Sequence, residues 1–354
     1  MVKLLFITQK VDKNDDVLGV YHEWTRAFAE KAKLVLAICL FKGEHDLPNN
    51  VKVLSLGKEK GKSRLKYILN FYKYIWRERK NYDSVFVHMN PEYVILGGLF
   101  WKLWKKKIGL WYAHGAVNLK LRVAEKIADI IFTSTRSGFR IESKKIRTIG
   151  QGIDVNKFSP ILQDRKNDKN DMFKIITVGR ISPVKDYETL IGAIGVLNKD
   201  NVKISADIVG DVGLSCQGKY LEGLKSLIQE KKLGNVINFI GSVPNREIAA
   251  KLQQADLFVN MSHTGSLDKA ILEAMACGLP VLTCNEALLE VLGDDYKAML
   301  MYPKNDLEEL AKKIKFIMNL DKVERKKISE DLREIVVKDY SLKGLIDRII
   351  LVYK

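Results

Sequence analysis

Short runs of apolar residues alternate with longer amphipathic stretches along most of this chain. In the first half the apolar runs occupy residues 1–8, 33–41, 84–88, 108–115 and 128–134, and in the second half residues 173–178, 204–209, 237–241 and 255–260. Each run has the length of a buried strand, and stretches with helical spacing separate many of them. Strands that alternate with helices favour parallel sheets covered by helices. The pattern therefore predicts an α/β fold with two doubly wound sheets.

Residues 265–282 have the pattern of a loop, one short helix, a stop and a buried strand. Asp268 is a preferred N-cap residue, and Gly278 and Pro280 are typical of a helix end. Backbone N–H groups that collect at a helix N-terminus attract anions, phosphate above all. Glu273 follows on the second turn, where a carboxylate can accept two hydrogen bonds from a diol such as ribose. These residues leave two interpretations open, a nucleotide site and an ordinary helix with a solvated glutamate.

A second candidate for anion binding follows the apolar run at residues 173–178. Gly179 suits a tight turn, and Arg180 and Lys185 place positive charge directly after it. A guanidinium is a planar fork for a diphosphate, whereas an ammonium is a compact point charge. A strand, a glycine turn and a helix together are typical of nucleotide sites. The alternative is a pair of surface cations.

Two segments resemble the hallmarks of family 4 glycosyltransferases of the GT-B fold. Residues 273–281, EAMACGLPV, resemble the family's donor-site signature, and residues 179–191, GRISPVKDYETLI, resemble its other hallmark. The resemblance is strongest in the second half of the chain. It implies a GT-B architecture of two Rossmann-like domains that face each other across a cleft. It also implies that a sugar is transferred from a nucleotide-diphosphate sugar with retention of configuration, without a stable covalent enzyme intermediate.

The resemblance also implies a set of site residues. Arg180 and Lys185 are expected to stabilise the charge that grows on the leaving diphosphate, and His114 is expected to lie near the acceptor and the donor sugar. Among the donor-binding residues, Gly19 would belong to a loop that closes on the donor, and Val243 would lie beside the base. The full expected donor-binding set is Glu273, Gly179, Gly265, Ser266, Leu267, Asp268, Lys269, Val243 and Gly19.

One position departs from the family's pattern. The family usually has a glutamate eight residues before the one at 273, and Gly265 stands there instead. Because the missing carboxylate normally touches the donor sugar, the sugar contacts must differ in this chain. Asp268 would repel a diphosphate unless its side chain caps the helix or meets a sugar hydroxyl. We expect Lys269 to reinforce the phosphate site.

Composition adds a charge pattern to this picture. The chain has 354 residues, 47% of them hydrophobic, which is enough for two domains with their own cores. Its formal net charge is +16, and residues 51–80 contain ten Lys or Arg against two Asp or Glu. About half of the excess positive charge therefore lies in this short segment, which indicates a surface that faces an anionic partner.

Residues 62–80 have the spacing of an amphipathic helix. Its predicted apolar side consists of Leu65, Ile68, Leu69, Tyr72, Ile75 and Trp76. Its predicted basic side consists of Lys66, Lys73, Arg77 and Lys80. Residues 101–107 repeat the combination of aromatic and basic side chains. One interpretation is a pair of patches that touch an anionic membrane surface, and the other is an ordinary crossover helix with a solvated face.

The expected domains are an acceptor-binding domain at residues 1–164 and a donor-binding domain at residues 172–335. Residues 165–171 contain no apolar side chain, which predicts a hinge between them. From the resemblance, residues 336–354 are expected to form a helix that returns to the first domain.

The expected ligands are substrates, because no permanently bound cofactor is indicated. The donor would be a UDP- or GDP-sugar, and the acceptor a lipid-linked or glycan molecule. No convincing carboxylate cluster suggests Mg²⁺ or Mn²⁺, and the cysteines lack metal-type spacing, so no metal is expected. The four cysteines, Cys39, Cys216, Cys277 and Cys284, are predicted to be mostly buried thiols. The sequence shows no secretory signal or membrane span, so we expect a cytoplasmic protein. A place at the inner face of the membrane is expected only under the membrane interpretation of residues 62–80 and 101–107.

Three alternatives to a transferase stay open at this point. A sugar-nucleotide 2-epimerase of the same fold would need acid and base groups in the cleft and would convert its donor without an acceptor. A basic module that binds nucleic acid would show steeply salt-dependent binding, although no recognisable nucleic-acid motif supports it and nucleic acid is not an expected partner. A protein with the same fold but no activity is the third, because Gly265 removes one expected contact.

Overall fold

The computed structural model describes residues 1–15, 18–161, 172–213 and 217–354, and it divides the chain into two compact units. The first unit contains residues 1–152 and 342–354, and the second contains residues 153–341. The predicted hinge at residues 165–171 lies outside the described residues.

The unit boundaries differ from the predicted domain boundaries by several residues. The chain joins the second unit at Ile153 instead of at residue 172, because the side chains of Ile153 and Phe158 are buried in the second core. The first unit resumes at Leu342 instead of at residue 336. The preceding helix, which ends at Asp339, buries Val336 in the second core.

Seven parallel strands form the sheet of the first unit, in the order β3-β2-β1-β4-β5-β6-β7. The strands are β1 (Lys3–Val11), β2 (Leu34–Lys42), β3 (Val51–Ser55), β4 (Ser84–His88), β5 (Lys107–Trp111), β6 (Ile130–Thr133) and β7 (Ile146–Thr148). Leu5 of β1 is in register with Leu36 of β2 and Val85 of β4. The strand order reverses between β1 and β4, which is the switch point of a Rossmann-type sheet.

Helices cover both faces of this sheet. They are α1 (Val20–Lys31), α2 (Arg64–Arg77), α3 (Pro91–Leu103), α4 (Leu119–Ile127) and the last helix of the chain, α12 (Leu342–Tyr353). Alternate strand residues pack against the helices on the two faces, since successive side chains point to opposite sides of a strand. Leu5 and Val85 share a buried cluster with residues of α2, α3 and α4, whereas Phe6 and Phe86 share one with residues of α1 and α12.

The second unit repeats the plan with five parallel strands in the order β10-β9-β8-β11-β12. Its strands are β8 (Phe173–Val178), β9 (Ile204–Val209), β10 (Ile237–Gly241), β11 (Leu257–Asn260) and β12 (Val281–Thr283). Its helices are α5 (Tyr187–Lys199), α6 (Gly218–Glu230), α7 (Asn245–Leu252), α8 (Lys269–Ala276), α9 (Asp294–Leu300), α10 (Leu307–Asn319) and α11 (Lys322–Asp339). Two parallel α/β sheets confirm the predicted fold class.

The helix predicted at residues 62–80 is α2, and only part of its predicted apolar side is buried. Phe71, which the predicted apolar side omitted, is buried together with Ile75 and lies 6.0 Å from the ring of Trp101 on α3. Three members of the predicted apolar side are instead 66%, 59% and 53% exposed, namely Leu65, Leu69 and Trp76. These three stay at the surface because α2 buries a narrower stripe that passes through Phe71.

Residues 307–339 form two helices, α10 and α11, with a short break between them. α10 ends at Asn319, and α11 starts behind Asp321, whose side chain accepts a hydrogen bond from the Glu324 N–H at 2.8 Å. The Glu324 carboxylate accepts one from the Asp321 N–H at 3.2 Å in return, so a capping box starts the second helix. The last helix begins at Leu342, six residues after the expected start at residue 336.

Candidate functional site

The loop between β11 and α8 contains most of the predicted donor-binding residues. The chain leaves β11 at Asn260, turns through Gly265 and enters α8 at Lys269. In the described part of the chain, no group accepts a hydrogen bond from the backbone N–H groups of residues 265–270. Such groups at a helix N-terminus form a ready site for an anion. The helix ends as predicted, with Gly278 in the left-handed region at φ +73°.

A buried network of polar side chains holds this loop. The side-chain oxygen of Asn260 accepts hydrogen bonds from the Ser262 N–H at 3.2 Å and from the Thr283 hydroxyl at 3.1 Å. The side-chain amide of Asn285 donates to the Ser266 carbonyl at 2.8 Å. The loop is therefore tied to the ends of both β11 and β12, and loss of one partner would leave buried polar atoms unsatisfied.

Two contacts join this loop to the other hallmark segment. The Lys185 ammonium lies 2.6 Å from Oδ2 of Asp268, and each side chain is less than a fifth exposed. The backbone N–H of His263 donates to the Val184 carbonyl at 2.9 Å. The structure thus brings a predicted phosphate-binding cation from residues 179–191 to the N-terminal end of α8.

Asp268 occupies the N-cap position of α8, but its side chain does not cap the helix as predicted. Its Oδ2 instead accepts hydrogen bonds from Lys185 at 2.6 Å and from the Asn260 amide at 3.0 Å. An ammonium group is a stronger partner for a carboxylate than a neutral N–H group, which accounts for the difference. The N–H groups of α8 therefore stay available, and Lys185 offsets the charge of Asp268.

Glu273 is only 5% exposed, on the second turn of α8. The Lys269 ammonium lies 3.0 Å from its Oε1, at the i,i+4 spacing of a helical ion pair. The angles of this contact are not those of a hydrogen bond, and the buried Oε1 accepts none from a described residue. The ion pair offsets the charge of this carboxylate, and its oxygen can still accept hydrogen bonds from ligand hydroxyls. Lys269, expected at the phosphate, pairs with Glu273 in this structure.

Gly179 and Arg180 form the turn after β8. The Gly179 N–H donates to Val209, and its carbonyl accepts the Tyr187 hydroxyl at 3.0 Å. Burial raises the pKa of Tyr187, so this hydroxyl stays a neutral donor. Arg180 is exposed, and among the described residues its guanidinium has no ion-pair or hydrogen-bond partner. It is therefore available to a ligand, unlike Lys185.

Gly265 and Leu267 shape the loop before α8, one through its backbone conformation and the other through its buried side chain. Gly265 has φ +64°, in the left-handed region. A glutamate there would cost about 1–2 kcal/mol in backbone strain, so this loop conformation disfavours the side chain that the family usually has. The side chain of Leu267 is buried in the second core, which leaves its backbone N–H as its means of reaching a donor.

Three predicted residues lie away from both α8 with its preceding loop and the turn after β8. Val243 follows β10 and is partly buried against the second core. Gly19 and His114 belong to the first unit. A Cβ atom on Gly19 would lie 2.5 Å from the Asp15 carbonyl oxygen, so its own loop requires a glycine. His114 is exposed, and its Nδ1 accepts a hydrogen bond from the Ala116 N–H at 3.1 Å, which assigns the proton of the neutral ring to Nε2.

Burial makes His88 and the described cysteines unsuited to proton transfer or nucleophilic attack. His88 is packed among three aromatic rings, and burial lowers its pKa to about 3. Burial also raises the pKa of Cys39 and Cys277 to about 12 and that of Cys284 to about 11. These side chains are neutral near pH 7, since a low dielectric disfavours their charged forms. Cys216 lies outside the described residues.

The sequence interpretation missed two supports of α8. The Arg333 guanidinium donates hydrogen bonds to the carbonyls of Ala276 and Phe158, where a cation favours the negative end of the α8 dipole. Arg333 is 57 residues from Ala276, and no sequence pattern connects them. Asn260 is the other support, and its place at the end of a predicted strand was a usable signal.

Among the described residues, no group of three His, Cys, Asp or Glu side chains is placed to hold a metal ion. A concavity of about 590 Å³ in the second unit lies along α9, α10 and α11 and contains none of the predicted donor-binding residues. No helix in the described ranges is long and apolar enough to cross a bilayer.

Comparison with known proteins confirms the predicted family resemblance. Residues 160–334 match the family model described as glycosyl transferases group 1. The chain is 28% identical to the "Putative colanic acid biosynthesis glycosyltransferase WcaL" of Escherichia coli K12 over 204 residues, which cover 56% of this chain and 48% of that protein. It is 32% identical to the alpha-monoglucosyldiacylglycerol synthase of Acholeplasma laidlawii over 151 residues, which cover 43% of this chain and 36% of that protein. The matches thus span about half or less of these relatives.

Solved structures show the fold of the whole chain. The structure of Anabaena Alr3699/HepE in complex with UDP and glucose aligns over 99% of both chains with a TM-score of 0.75 at 18% identity. At that identity the likeness shows the fold alone, which is GT-B. These matches do not favour a 2-epimerase or a nucleic-acid-binding module.

Proposed function

We propose that this chain, whose residues 160–334 belong to the glycosyl transferases group 1 family, is a retaining glycosyltransferase. It moves a sugar from a nucleotide-diphosphate sugar to a lipid- or polymer-linked glycan. UDP is the first candidate for the donor nucleotide, because a neighbour of the same fold was solved with UDP and glucose. The relatives' names, which refer to colanic acid and to monoglucosyldiacylglycerol, support the acceptor class.

Among the described residues, two sets of polar groups around α8 carry the proposal: N–H groups without acceptors, and the Glu273 carboxylate, which faces Lys269 but accepts no hydrogen bond at Oε1. The unpaired N–H groups of residues 265–270 suit the diphosphate. One turn further along the helix, Glu273 has a buried Oε1 that accepts no hydrogen bond from a described residue. A ribose diol would supply the donors that this carboxylate lacks. About one helical turn, roughly 5.4 Å, separates the two sets of groups, and a nucleoside diphosphate carries a diphosphate and a ribose diol in one molecule.

The cations near α8 would act on the leaving group. Charge develops on the diphosphate as its bond to the sugar breaks, so positive groups that wait there favour the transition state. Arg180 has no partner among the described residues and can meet the diphosphate directly. Lys185 is paired with Asp268 at 2.6 Å, so a bound phosphate must compete with Asp268 for this ammonium. As negative charge grows on the leaving diphosphate, the Lys185 ammonium interacts more strongly with the diphosphate than with Asp268.

The remaining predicted residues take supporting roles in this proposal. Asp268 is the carboxylate at the helix entrance, and a sugar hydroxyl is its natural second partner in the absence of a glutamate at position 265. The Nε2–H of His114 would donate to a hydroxyl of the sugar or the acceptor. Gly19 and Val243 would line the donor as the family resemblance implies. The chemistry uses no metal in this proposal.

A lipid-linked acceptor also suggests that the basic helix α2 contacts the membrane. Membrane-bound acceptors are reached from a lipid surface, and α2 carries exposed lysines beside exposed leucines. We therefore place the enzyme in the cytoplasm, at the inner face of the membrane, with α2 and residues 101–107 toward anionic lipid.

Calorimetric titration with UDP, GDP and ADP tests the donor site. We expect one diphosphate to bind, and we expect Glu273→Ala to weaken that binding at least tenfold because the ribose loses its acceptor. Glu308→Ala is the matched control, since Glu308 is an exposed carboxylate on α10 of the same unit. If none of the three diphosphates binds to the unaltered protein, the donor site proposed here is wrong.

A further inference from the structure

An aromatic notch lies between α2 and α3 in the first unit. Tyr72, Trp76, Phe100 and Trp104 form its walls, with ring centroids 5.5 to 6.2 Å apart across the two helices. Its volume is about 500 Å³, and its lining is apolar apart from the side chains of Lys73 and Arg77. Four aromatic rings that meet at an open surface are unusual, because such rings are normally covered by the core.

The notch continues into exposed aliphatic side chains. Trp76 is 53% exposed, and four leucines of the same two helices are between 59% and 69% exposed, namely Leu65, Leu69, Leu99 and Leu103. Leu65 and Leu69 precede Tyr72 and Trp76 at the spacing of one helix face, so the apolar face of α2 extends beyond the notch. Exposed apolar surface of this extent marks an interaction site. Its shape, a groove with leucines beside it, suits a flexible chain better than a flat protein face.

The charges around the notch are of one sign. Lys66, Lys73 and Lys105 are exposed and have no ion-pair partner among the described residues. α2 contains no acidic residue, and the one carboxylate near its end, Glu78, is buried and bonded to Lys52 and Arg77. Unpaired cations around an apolar groove fit a ligand that is apolar inside and anionic at its end.

This charge pattern decides between two occupants. A second copy of the chain would bring two cationic rims face to face, and like charges across an interface cost affinity. An anionic lipid presents the complementary charge and an apolar chain together. We propose that the α2–α3 notch binds one hydrocarbon chain of an anionic phospholipid, with the phosphate at Lys73. The proposal rests on the membrane contact proposed above and deepens it to a defined lipid site.

The notch is separate from the place where the acceptor would react. α2 ends at Arg77 before β4 begins at Ser84, and α3 ends at Leu103 before β5 begins at Lys107. The notch therefore lies near the amino ends of these strands, whereas ligands of such sheets bind beyond the carboxyl ends. The site holds the enzyme on the surface and leaves the reacting edge of the sheet open.

Monomeric decyl phosphate, used below its micelle concentration, is the probe that tests this site. It carries one chain and one phosphate and requires no bilayer. Trp24, Trp101 and Trp111 are buried, so a change in tryptophan emission would come from Trp76 and Trp104. We expect saturable binding to the full chain, at least tenfold weaker binding to Phe100→Ala, which retains both reporters, and weaker binding of decanol, which lacks the charge.

Matched variants separate this site from general adhesion. Phe316→Ala removes a 47% exposed phenylalanine in the second unit and should leave binding unchanged. In sedimentation with vesicles of phosphatidylglycerol and phosphatidylcholine, Lys73→Gln should reduce the bound fraction severalfold, and Lys199→Gln on α5 should not. Equal binding of decyl phosphate by Phe100→Ala, or a dimer in solution that Phe100→Ala dissociates, would overturn the lipid assignment.

The donor and lipid proposals fail separately. Phe100→Ala should bind the nucleoside diphosphate like the unaltered protein, because the notch and the α8 loop belong to different units. Loss of decyl phosphate binding with intact diphosphate binding assigns the notch to lipid. Diphosphate binding without any decyl phosphate binding overturns the lipid site alone.

Discussion

Lysines at the α8 loop of the second unit are paired with carboxylates, whereas lysines around the α2–α3 notch of the first unit are unpaired within the described part of the chain. In the loop, Lys185 is paired with Asp268 at 2.6 Å and Lys269 lies 3.0 Å from Glu273. Around the notch, Lys66 and Lys73 have no partner among the described residues. The loop thus keeps its cations in place, whereas the notch leaves them mobile in solvent.

The difference matches the ligands that we propose for the two regions. A diphosphate must be positioned precisely, and carboxylates that hold the cations reduce the ordering cost when it arrives. A membrane presents diffuse charge, and a mobile lysine reaches it at any position. The buried polar network under the loop also suits a fixed ligand, and the exposed leucines beside the notch also suit a membrane surface. In these two regions the paired lysines therefore accompany a fixed ligand, and the unpaired lysines accompany a surface.

The largest expected effect is at Lys185. Lys185→Ala should lower kcat/KM for sugar transfer by about 10²–10³-fold, because it removes a cation from the leaving group and leaves the Asp268 carboxylate uncompensated. Steady-state kinetics with the nucleotide sugar identified by titration measures this. Lys199→Ala, an exposed lysine on α5, is the control. In contrast, Asp268→Asn should tighten diphosphate binding, and an unchanged affinity would contradict the idea that Asp268 competes for Lys185.

Asn260 tests whether the loop depends on its buried network. Asn260→Ala should destabilise the second unit by about 2–3 kcal/mol, because Asp268, Ser262 and Thr283 lose a partner inside the protein. Denaturant unfolding monitored by circular dichroism measures the change. Asn235→Ala alters an exposed asparagine of the same unit and should have little effect. Equal effects of the two variants would mean that the network is not a support of the loop.

Glu78 is the exception in the first unit, since it is a paired carboxylate beside a basic surface. Burial alone would raise its pKa, but hydrogen bonds from Lys52, Asn81 and Arg77 outweigh burial and lower the pKa from 4.5 to about 2. A depressed pKa stabilises the fold above the unfolded-state pKa, and this stabilisation is lost as the pH falls from 4.5 to about 2.

Glu78→Gln should therefore reduce the stability of the first unit at pH 7 by on the order of 2 kcal/mol. The difference from the unaltered protein should shrink as the pH falls toward 2. Urea unfolding at several pH values measures both. Glu30→Gln replaces an exposed carboxylate on α1 and should show no such pH dependence. A constant difference across this pH range would contradict the assigned pKa shift.

The smallest expected effect is at Gly265. Gly265→Ala should destabilise the second unit by about 1 kcal/mol, because the residue is in the left-handed region at φ +64°. Gly223→Ala should have the opposite sign and stabilise by up to about 1 kcal/mol, since Gly223 is exposed within α6 with open space around it. The midpoints of denaturant unfolding compare the two. A stabilised Gly265→Ala would show that the loop does not need its glycine.

Much of the fold and part of the candidate site could be predicted from local patterns. β4, β8, β9 and β10 have the predicted bounds because each is a short apolar run between turn residues. α8 also begins and ends where its sequence predicts, because Gly278 adopts the left-handed conformation that stops it. The hallmark segments at residues 179–191 and 273–281 were recognisable for the same reason, since each is continuous in the chain.

The partners of charged side chains could not be predicted in this way. Asp268 is a good N-cap residue by local rules, yet its carboxylate pairs with Lys185, which is 83 residues away in the chain. Arg333 reaches the end of α8 from another helix, and no hydrophobic period or motif spacing in the sequence predicts that contact. Competition between local and distant partners depends on which atoms the fold brings within about 3 Å, and sequence spacing does not contain that distance.

By itself the sequence determined the alternation of strands and helices, the two hallmark segments and the excess of positive charge, because each depends on residues that are neighbours in the chain. Only the tertiary structure decided that Phe71 is buried on α2 and that Trp76 is exposed beside Trp104. It also assigned the last helix to the first unit. These outcomes depend on which of several apolar faces another element covers. That choice is made by packing the whole chain, since each helix offers more apolar surface than its own sheet can bury.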